Sequence, residues 1–155
     1  MDVREYCPHK VLTGPEAISR IANGNRVFIG TGCGEPQHLI KCMVENKALQ
    51  DVIIYQMFSY TLAHYVHNRD FQNRFSIKLF FISYRMRQAA FEGKIDYIPT
   101  YLSQIPDLFD SRRIGLDVAL IQVSEPDEFG FCSLGISVDI TLSGMKNAQM
   151  VIAQI

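Results

Sequence analysis

Short apolar segments alternate along this chain with segments whose apolar residues recur at helical spacing. The apolar segments include VFI at 27–29, VIIY at 52–55 and VALIQ at 118–122, and polar residues do not alternate with apolar ones inside them. Strands that are apolar on both faces are typical of a parallel sheet that is covered by helices on both sides. The pattern therefore predicts an α/β fold, a three-layer α/β/α sandwich with a mainly parallel sheet.

Local signals predict where the strands and helices lie. Thr13, Pro15 and Glu16 have the spacing of a capping box at a helix start, and Gly93 is placed to end a later helix. A short strand is predicted to stop at Pro99, and the segment 102–111 is predicted as a broken helix or a loop. The main strands are predicted at 27–29, 52–55, 78–82, 118–122 and 151–153. A further helix is predicted from the stripe of Leu39, Ile40, Met43 and Val44.

Composition and charge exclude several classes of protein. The chain has 155 residues, 48% of them hydrophobic, and its 15 Lys and Arg nearly balance 16 Asp and Glu. One domain with a real core is therefore expected, and the absence of a basic excess predicts no nucleic-acid partner. The apolar runs are too short to cross a membrane, so no membrane partner is expected. The polar opening, 1–10, predicts no secretory signal.

The cysteines and histidines predict no metal site. Two histidines, His64 and His67, are three residues apart, but no third ligand is placed beside them. A reducing, cytoplasmic location is expected, because the cysteines lack the C-x-x-C spacing of zinc sites and form no disulfide framework. The four cysteines are Cys7, Cys33, Cys42 and Cys132.

Three glycines, Gly30, Gly32 and Gly34, separate a predicted strand from a predicted helix. Ligands of open α/β sheets bind at such strand ends. A dinucleotide fingerprint would need glycine where Glu35 stands, and no Gly-Lys-Ser/Thr of a P-loop follows. Cys33 is either a nucleophile near a helix N-terminus or a small residue in a tight turn, and the lack of a histidine placed nearby favours the second interpretation.

Three longer motifs suggest a family. They are VFIGTGCGEPQHLI at 27–40, FEGKIDYIPTYLSQIPDLF at 91–109 and DVALIQVSEPDEFGFCSLGISVD at 117–139. In this order they resemble the acetyl-CoA hydrolase/transferase family of CoA-transferases, in particular the 4-hydroxybutyrate CoA-transferase type. The resemblance covers only that family's N-terminal domain, so residues 1–155 are expected to form one such domain, without the C-terminal domain that carries the catalytic glutamate.

The resemblance implies an activity and its partners. Coenzyme A, a substrate and not a permanently bound cofactor, would move between an acyl-CoA (acetyl-, butyryl- or 4-hydroxybutyryl-CoA) and a short carboxylic acid through a glutamyl-CoA intermediate. This chain alone would then be inactive. Its other partners would be the missing domain or a partner subunit. Members of the family tend to be dimers, which implies a homodimer. Two alternatives remain: an acyl-CoA hydrolase, and a non-catalytic acyl-CoA-binding or assembly module.

The resemblance also implies two walls of a binding site, with no catalytic residue in this chain. Glu35 could orient loop amides or cap the following helix. The second wall could equally be a plain β-turn. Arg87, which would meet a CoA phosphate or a carboxylate, could equally be a solvated helix start. The first wall comprises Gly30, Thr31, Gly32, Cys33, Gly34, Glu35, Pro36 and Gln37. The second comprises Ser124, Pro126, Asp127, Gly130, Ser133 and Gly135.

A surface is expected to be left open if the second domain is missing. It would include the glycine-rich segment, the surroundings of Arg87 and the turn that carries Phe129 and Phe131. Apolar side chains in water mark an interaction surface. Self-association, most simply as a dimer, is therefore expected.

Overall fold

A computed structural model describes residues 8–155 as a single parallel sheet with helices on both faces. The strand order is β4-β3-β2-β1-β5-β6, and every neighbouring pair is parallel. Residues 1–7 lie outside the described residues. Cys7 belongs to this segment, and so does most of the stretch from which the lack of a secretory signal was predicted. The strands are β1 (Arg26–Ile29), β2 (Val52–Gln56), β3 (Phe75–Leu79), β4 (Asp96–Tyr97), β5 (Leu116–Gln122) and β6 (Ala148–Gln154).

Within residues 8–155, six α-helices connect or flank these strands. Short 3-10 turns lie at Pro8–Lys10, Gly32–Gly34, Leu62–His64, Tyr84–Met86 and Leu102–Gln104. In the part of the chain that the structure describes, no helix is long and apolar enough to span a membrane. The α-helices are α1 (Gly14–Ile18), α2 (Gln37–Glu45), α3 (Arg69–Arg74), α4 (Arg87–Phe91), α5 (Ile105–Asp110) and α6 (Thr141–Asn147).

Two hydrophobic clusters, one on each face of the sheet, confirm the three-layer sandwich. Val27 and Ile29 of β1 lie in the cluster that includes α2, whereas Phe28 lies in the opposite cluster with Phe109 of α5. All three strand residues are fully buried. The central strand is thus covered on both sides, which explains why its sequence shows no polar alternation.

The predicted caps are confirmed. The Thr13 side chain accepts from the backbone N–H of Glu16, and the Glu16 carboxylate accepts from the Thr13 backbone N–H at 2.9 Å. The Thr13 hydroxyl, at 2.7 Å, and the Thr13 backbone N–H both donate to the Glu16 carboxylate, and these two bonds lower the pKa of Glu16 because they stabilise its charged form. Gly93 follows α4 with φ +69°, the left-handed conformation that suits a helix end.

The strand predicted at 78–82 was placed too late, because β3 spans Phe75–Leu79. Phe75, Ile77 and Leu79 are buried, while Ser76 is exposed and Lys78 is half-buried. This alternation arises because β3 lies near one edge of the sheet, where only one face is covered. The last strand, predicted at 151–153, is longer and also alternates, since β6 forms the opposite edge. Helix α6 was not predicted.

Candidate functional site

The glycine loop, residues 30–36, leaves the carboxyl end of β1 as a tight turn. Gly32 has φ +57°, a conformation that side chains rarely adopt. A Cβ on Gly30 would lie 2.7 Å from the carbonyl oxygen of Gly34, so the loop closes on itself too tightly for any other residue there. A Cβ on Gly34 would lie 3.0 Å from the Cβ of Ser137. The loop therefore packs directly against the end of the third motif.

Glu35 is the internal anchor of this loop. It is only 5% exposed, and its two carboxylate oxygens accept four hydrogen bonds. Oε1 accepts from Nε2 of Gln56 at 2.9 Å and from the Ser59 hydroxyl at 2.6 Å. Oε2 accepts from the backbone N–H and the hydroxyl of Thr61, at 3.0 and 2.6 Å. The carboxylate thus connects the glycine loop to the segment that follows β2, and charge-assisted bonds of this kind are strong.

Thr31 adds a second connection between the same two segments. Its side chain is buried, and its hydroxyl donates to the carbonyl oxygen of Phe58 at 2.8 Å. The Thr31 hydroxyl oxygen in turn accepts from the Phe58 backbone N–H at 3.0 Å. Gln56 strengthens the joint, because its amide also donates to the Gly30 carbonyl oxygen at 2.9 Å. The loop is therefore held in one position before any ligand arrives.

A cavity of about 500 Å³ opens beside the glycine loop, at the carboxyl ends of the strands. This is the end at which open α/β sheets bind their ligands, and the volume lies within the ordinary range for small-molecule sites. Its apolar lining consists of Met57, Phe58, Phe80, Phe81, Leu102 and Ile105. The rest of the lining consists of Thr31, Gly32, Cys33, Thr100, Ser137 and Asp139.

Of the first predicted wall, only Thr31, Gly32 and Cys33 line this cavity. The other loop residues lie behind the lining or beside it. Gly30 and Glu35 are buried, Gly34 packs against Ser137, Pro36 is buried before α2, and Gln37 is the exposed first residue of that helix. The Cys33 side chain is exposed to solvent.

The second predicted wall is an ordered turn that does not line the cavity. The Asp127 carboxylate accepts from the backbone N–H groups of Phe129 and Phe131, at 2.9 and 2.8 Å. The Ser124 backbone N–H donates to the Ser133 carbonyl oxygen at 2.9 Å, which closes the segment. None of the predicted residues of this wall lies in the lining: Ser124, Pro126, Asp127, Gly130, Ser133 and Gly135.

Arg87 also lies outside the lining. It is the exposed first residue of α4, and its guanidinium carbon lies 5.9 Å from the centre of the Tyr84 ring. The geometry therefore agrees with an exposed helix start and gives Arg87 no contact with the cavity.

Most of the lining was missed by reasoning from the sequence. Met57 and Phe58 follow β2, Phe80 and Phe81 follow β3, and Thr100 follows β4. The carboxyl-end rule would have found these positions, because each lies within three residues of the carboxyl end of a strand of the parallel sheet. Ser137 and Asp139 lie at the end of the third motif and line the cavity, whereas the residues predicted in that motif lie slightly earlier in it.

Asp139 is the charged residue of the lining. Its Oδ1 accepts from the backbone N–H of Ile140 and, at 3.5 Å, from the Thr141 hydroxyl. Burial raises the pKa of Asp139, because a less hydrated environment disfavours the charged carboxylate. The cavity thus combines apolar walls with one carboxyl group.

A metal centre has no support among the described residues, where no three His, Cys, Asp or Glu side chains are grouped to hold an ion. His67 instead lies 3.1 Å from the amine of Lys94 and 3.7 Å from a carboxylate oxygen of Glu92. A larger cavity of about 640 Å³ is lined by most of β3, and no residue of the glycine loop lines it. Its lining mixes acidic and basic side chains that largely pair with one another, as Lys78 and Asp96 do at 2.7 Å.

CoA-transferases are among the known proteins that are similar to this chain. The model of the acetyl-CoA hydrolase/transferase N-terminal domain matches residues 1–155. The chain is 35% identical to 4-hydroxybutyrate coenzyme A transferase of Clostridium kluyveri, over 100% of this chain and 36% of that protein. It is 38% identical to succinyl-CoA:acetate/propanoyl-CoA:succinate CoA transferase of Fasciola hepatica, over 96% of this chain and 31% of that protein.

Solved structures show the same fold. RipA from Yersinia pestis superposes with a TM-score of 0.88 at 25% identity, over 99% of this chain and 38% of RipA. A 4-hydroxybutyrate CoA-transferase from Porphyromonas gingivalis superposes with a TM-score of 0.69 at 22% identity, over 98% of this chain and 34% of that one. The chain thus spans about a third of the length of the relatives that it matches.

Proposed function

The chain belongs to the acetyl-CoA hydrolase/transferase family, whose N-terminal domain it matches from end to end, and we propose that it forms the N-terminal part of a CoA-transferase. The proposed enzyme moves coenzyme A between an acyl-CoA, such as acetyl-, butyryl- or 4-hydroxybutyryl-CoA, and a short carboxylic acid. The observation that carries this proposal is the glycine loop, fixed by Glu35 and Thr31 beside a cavity of about 500 Å³. A rigid loop next to a mainly apolar cavity suits an acyl group whose carbonyl must be positioned for attack.

The chemistry runs through a glutamyl-CoA intermediate. A glutamate carboxylate attacks the thioester carbonyl and expels the CoA thiolate, which leaves an acyl-glutamyl anhydride. The thiolate then attacks the glutamyl carbonyl, releases the first acid and forms a glutamyl-CoA thioester. The acceptor carboxylate repeats these two steps in reverse order and leaves as the new acyl-CoA. This is covalent catalysis by a carboxylate.

Glu35 is not the nucleophile in this scheme. Both of its oxygens accept hydrogen bonds from Gln56, Ser59 and Thr61, and the side chain is buried behind the cavity lining. A nucleophilic carboxylate needs a free oxygen that faces the thioester. We therefore assign the nucleophile to a segment that corresponds to the part of the longer relatives outside the match. In this proposal the active site lies between that segment and the cavity beside the glycine loop.

A chimera tests the proposal. Residues 1–155 of this chain replace the matching third of the Clostridium kluyveri transferase, and CoA transfer from butyryl-CoA to acetate is measured. Turnover of about 1 per second or more is expected, within the ordinary range for enzymes. Incubation with butyryl-CoA alone should leave a covalent CoA adduct, which peptide mass spectrometry should locate outside residues 1–155.

The outcomes separate the alternatives. A chimera that hydrolyses butyryl-CoA but transfers nothing to acetate supports the acyl-CoA hydrolase, in which water opens the anhydride. A chimera that unfolds cooperatively and has the relative's native size, yet does neither, supports a module without chemistry. An adduct on Glu35 contradicts the assignment of the nucleophile.

A further inference from the structure

Four exposed side chains that follow β3 form a surface that we call the basic patch: Tyr84, Arg85, Arg87 and Phe91. Tyr84 and Phe91 are 84% and 92% exposed. The Arg87 guanidinium carbon lies 5.9 Å from the centre of the Tyr84 ring, and Arg87 and Phe91 are four residues apart on α4, so their side chains share one face of that helix. Aromatic rings and arginines are the residue types enriched where proteins contact one another.

The charge around the basic patch has one sign. Between Asp70 and Glu92 the sequence contains basic residues but no acidic one, and Glu92 itself pairs with Lys94. Among the described residues, neither Arg85 nor Arg87 forms an ion pair. Two cations thus remain at this surface for the carboxylates of a partner.

The turn that follows β5 carries the opposite charge beside the same kind of ring. Residues 114–145 contain no Lys or Arg. Glu125 and Glu128 form no ion pair within the part of the chain that the structure describes. We call this surface the acidic turn, and its exposed side chains are those of Glu125, Asp127, Glu128, Phe129 and Phe131.

The basic patch and the acidic turn lie at the same end of the sheet. One follows the carboxyl end of β3 and the other follows the carboxyl end of β5, and all strands are parallel. Only β2 and β1 lie between β3 and β5, so at a strand spacing of about 4.8 Å the two strand ends are roughly 14 Å apart. A two-fold axis that runs along the strands, between β1 and β2, therefore brings each of the two surfaces to the other surface of a second copy. Such a symmetric pair makes both contacts at once.

We propose that two copies of this chain form a dimer in which the acidic turn of each copy docks on the basic patch of the other. The phenylalanines of the turn pack against Tyr84 and Phe91, while Glu125 and Glu128 pair with the two arginines. The partner copy then lies over the carboxyl ends of the strands, where the proposed function places the segment that carries the nucleophile. The dimer is therefore a property of the 155-residue chain itself, and it does not depend on the transferase function.

Charge reversal tests this dimer by sedimentation equilibrium of the 155-residue chain. One variant carries Arg85→Glu and Arg87→Glu, and a second carries Glu125→Arg and Glu128→Arg. Each variant alone should raise the Kd of the dimer about tenfold or more, because like charges then meet at both contacts. An equimolar mixture of the two variants should dimerise like the wild type, since both contacts of the mixed dimer again join opposite charges. This recovery also shows that both variants are folded.

The matched control carries Arg20→Glu and Arg113→Glu. It changes the net charge by the same amount, on exposed residues that precede the amino ends of β1 and β5. It should dimerise like the wild type, and mixing it with the Glu125→Arg, Glu128→Arg variant should not give the full recovery. Raising the NaCl concentration from about 50 to about 500 mM should weaken the wild-type dimer, because salt screens exposed charges.

Several results would overturn the proposal. A mixture that associates as weakly as either variant alone shows that the two surfaces do not meet, and so do variants that each dimerise like the wild type. A wild type that stays monomeric up to about 100 µM shows that no such dimer forms at an ordinary affinity. None of these results bears on the chimera assay, and a chimera that transfers nothing leaves the dimer untouched.

Discussion

The Ser59 hydroxyl donates a hydrogen bond of 2.6 Å to the Glu35 carboxylate, and both side chains are buried. Ser59 follows β2, whereas Glu35 belongs to the loop that follows β1, so the bond joins the ends of two neighbouring strands. The Ser59 oxygen also accepts from the Leu62 backbone N–H at 3.0 Å. A chain of hydrogen bonds thus connects the glycine loop to the 3-10 turn at Leu62–His64, which follows β2.

Replacing the carboxylate with an amide should destabilise the fold. In Glu35→Gln, an NH2 group takes the place of an oxygen that accepts hydrogen bonds, and at least one buried donor loses its partner. The free energy of unfolding should fall by about 1–3 kcal/mol, measured by urea denaturation. The matched control is Glu45→Gln. Glu45 is exposed, and its ion pair with Lys41, at 3.9 Å, is long and solvated, so this substitution should change the free energy of unfolding very little. Equal effects of the two substitutions would contradict the anchoring role of Glu35.

Gly144→Ala should also destabilise the protein, against the usual preference of helices for alanine. A Cβ on Gly144 would lie 2.7 Å from Cδ1 of Phe28, a fully buried ring that packs edge-on against Phe109. Overpacking of this kind costs about 1–3 kcal/mol. Urea denaturation of the single variant and of its combination with Phe28→Leu checks the cause, because the smaller side chain should restore part of the loss. If Gly144→Ala instead raised the free energy of unfolding, the Phe28 ring would have to move aside at little cost.

The same contact explains why α6 escaped prediction. Thr141, Ser143 and Gly144 are weak helix formers, yet all three are buried where α6 packs against the sheet. Their small size allows the close approach, so tertiary packing decides the helix and local propensity does not. The central strands could be predicted, because a strand that is buried on both faces consists of consecutive apolar residues.

Only part of the candidate site could likewise be predicted from the sequence. The glycine loop was predictable, since Gly30, Gly32 and Gly34 are neighbours in sequence and their spacing signals a turn. The rest of the cavity was not, because Phe80 and Leu102 meet the loop only through the order in which the strands pair. Strand order is a property of the whole fold that no local spacing reveals.

Stability should depend on pH through Asp70. Hydrogen bonds from Lys47 and Arg74 lower the pKa of Asp70, because both donors stabilise its charged form. A carboxyl whose pKa is lower in the folded state stabilises the fold above its unfolded pKa, and this contribution is lost as the pH falls through the folded pKa. The stability advantage of the wild type over Asp70→Asn should therefore be largest above about pH 5 and should shrink as the pH approaches 3.

Thermal unfolding of both proteins across this pH range measures the effect. Glu45→Gln is again the control, and its difference from the wild type should stay small throughout. An Asp70→Asn difference that grew on acidification would reverse the expected sign and would exclude the two hydrogen bonds as its cause.

The 155-residue chain alone should not transfer CoA. Its glycine loop and cavity lack a glutamate with a free oxygen, since the Glu35 carboxylate accepts four hydrogen bonds. Transfer from acetyl-CoA or butyryl-CoA to a short acid is the assay. Turnover of about 1 per second or more that disappears in a folded Glu35→Gln variant would show that Glu35 is the nucleophile after all.

The turn at 124–133 should take part in self-association. Phe129 and Phe131 are 75% and 73% exposed, although burying a phenylalanine side chain contributes about 1.5–3 kcal/mol. Their backbone N–H groups are fixed by the Asp127 carboxylate, so the two rings are presented by an ordered turn. Exposed apolar groups on a rigid support are typical of an interaction surface, and a dimer of this chain is expected.

Sedimentation at tens of micromolar compares the wild type with a Phe129→Ser, Phe131→Ser double variant. The substitutions leave the backbone bonds to Asp127 intact, so the turn should keep its shape while the dimer dissociates. Leu12→Ser is the control, because Leu12 is an exposed apolar residue that lies before α1; it should sediment like the wild type. A monomeric wild type that behaves identically to the double variant would mean that the two rings are covered by a different partner, or by none.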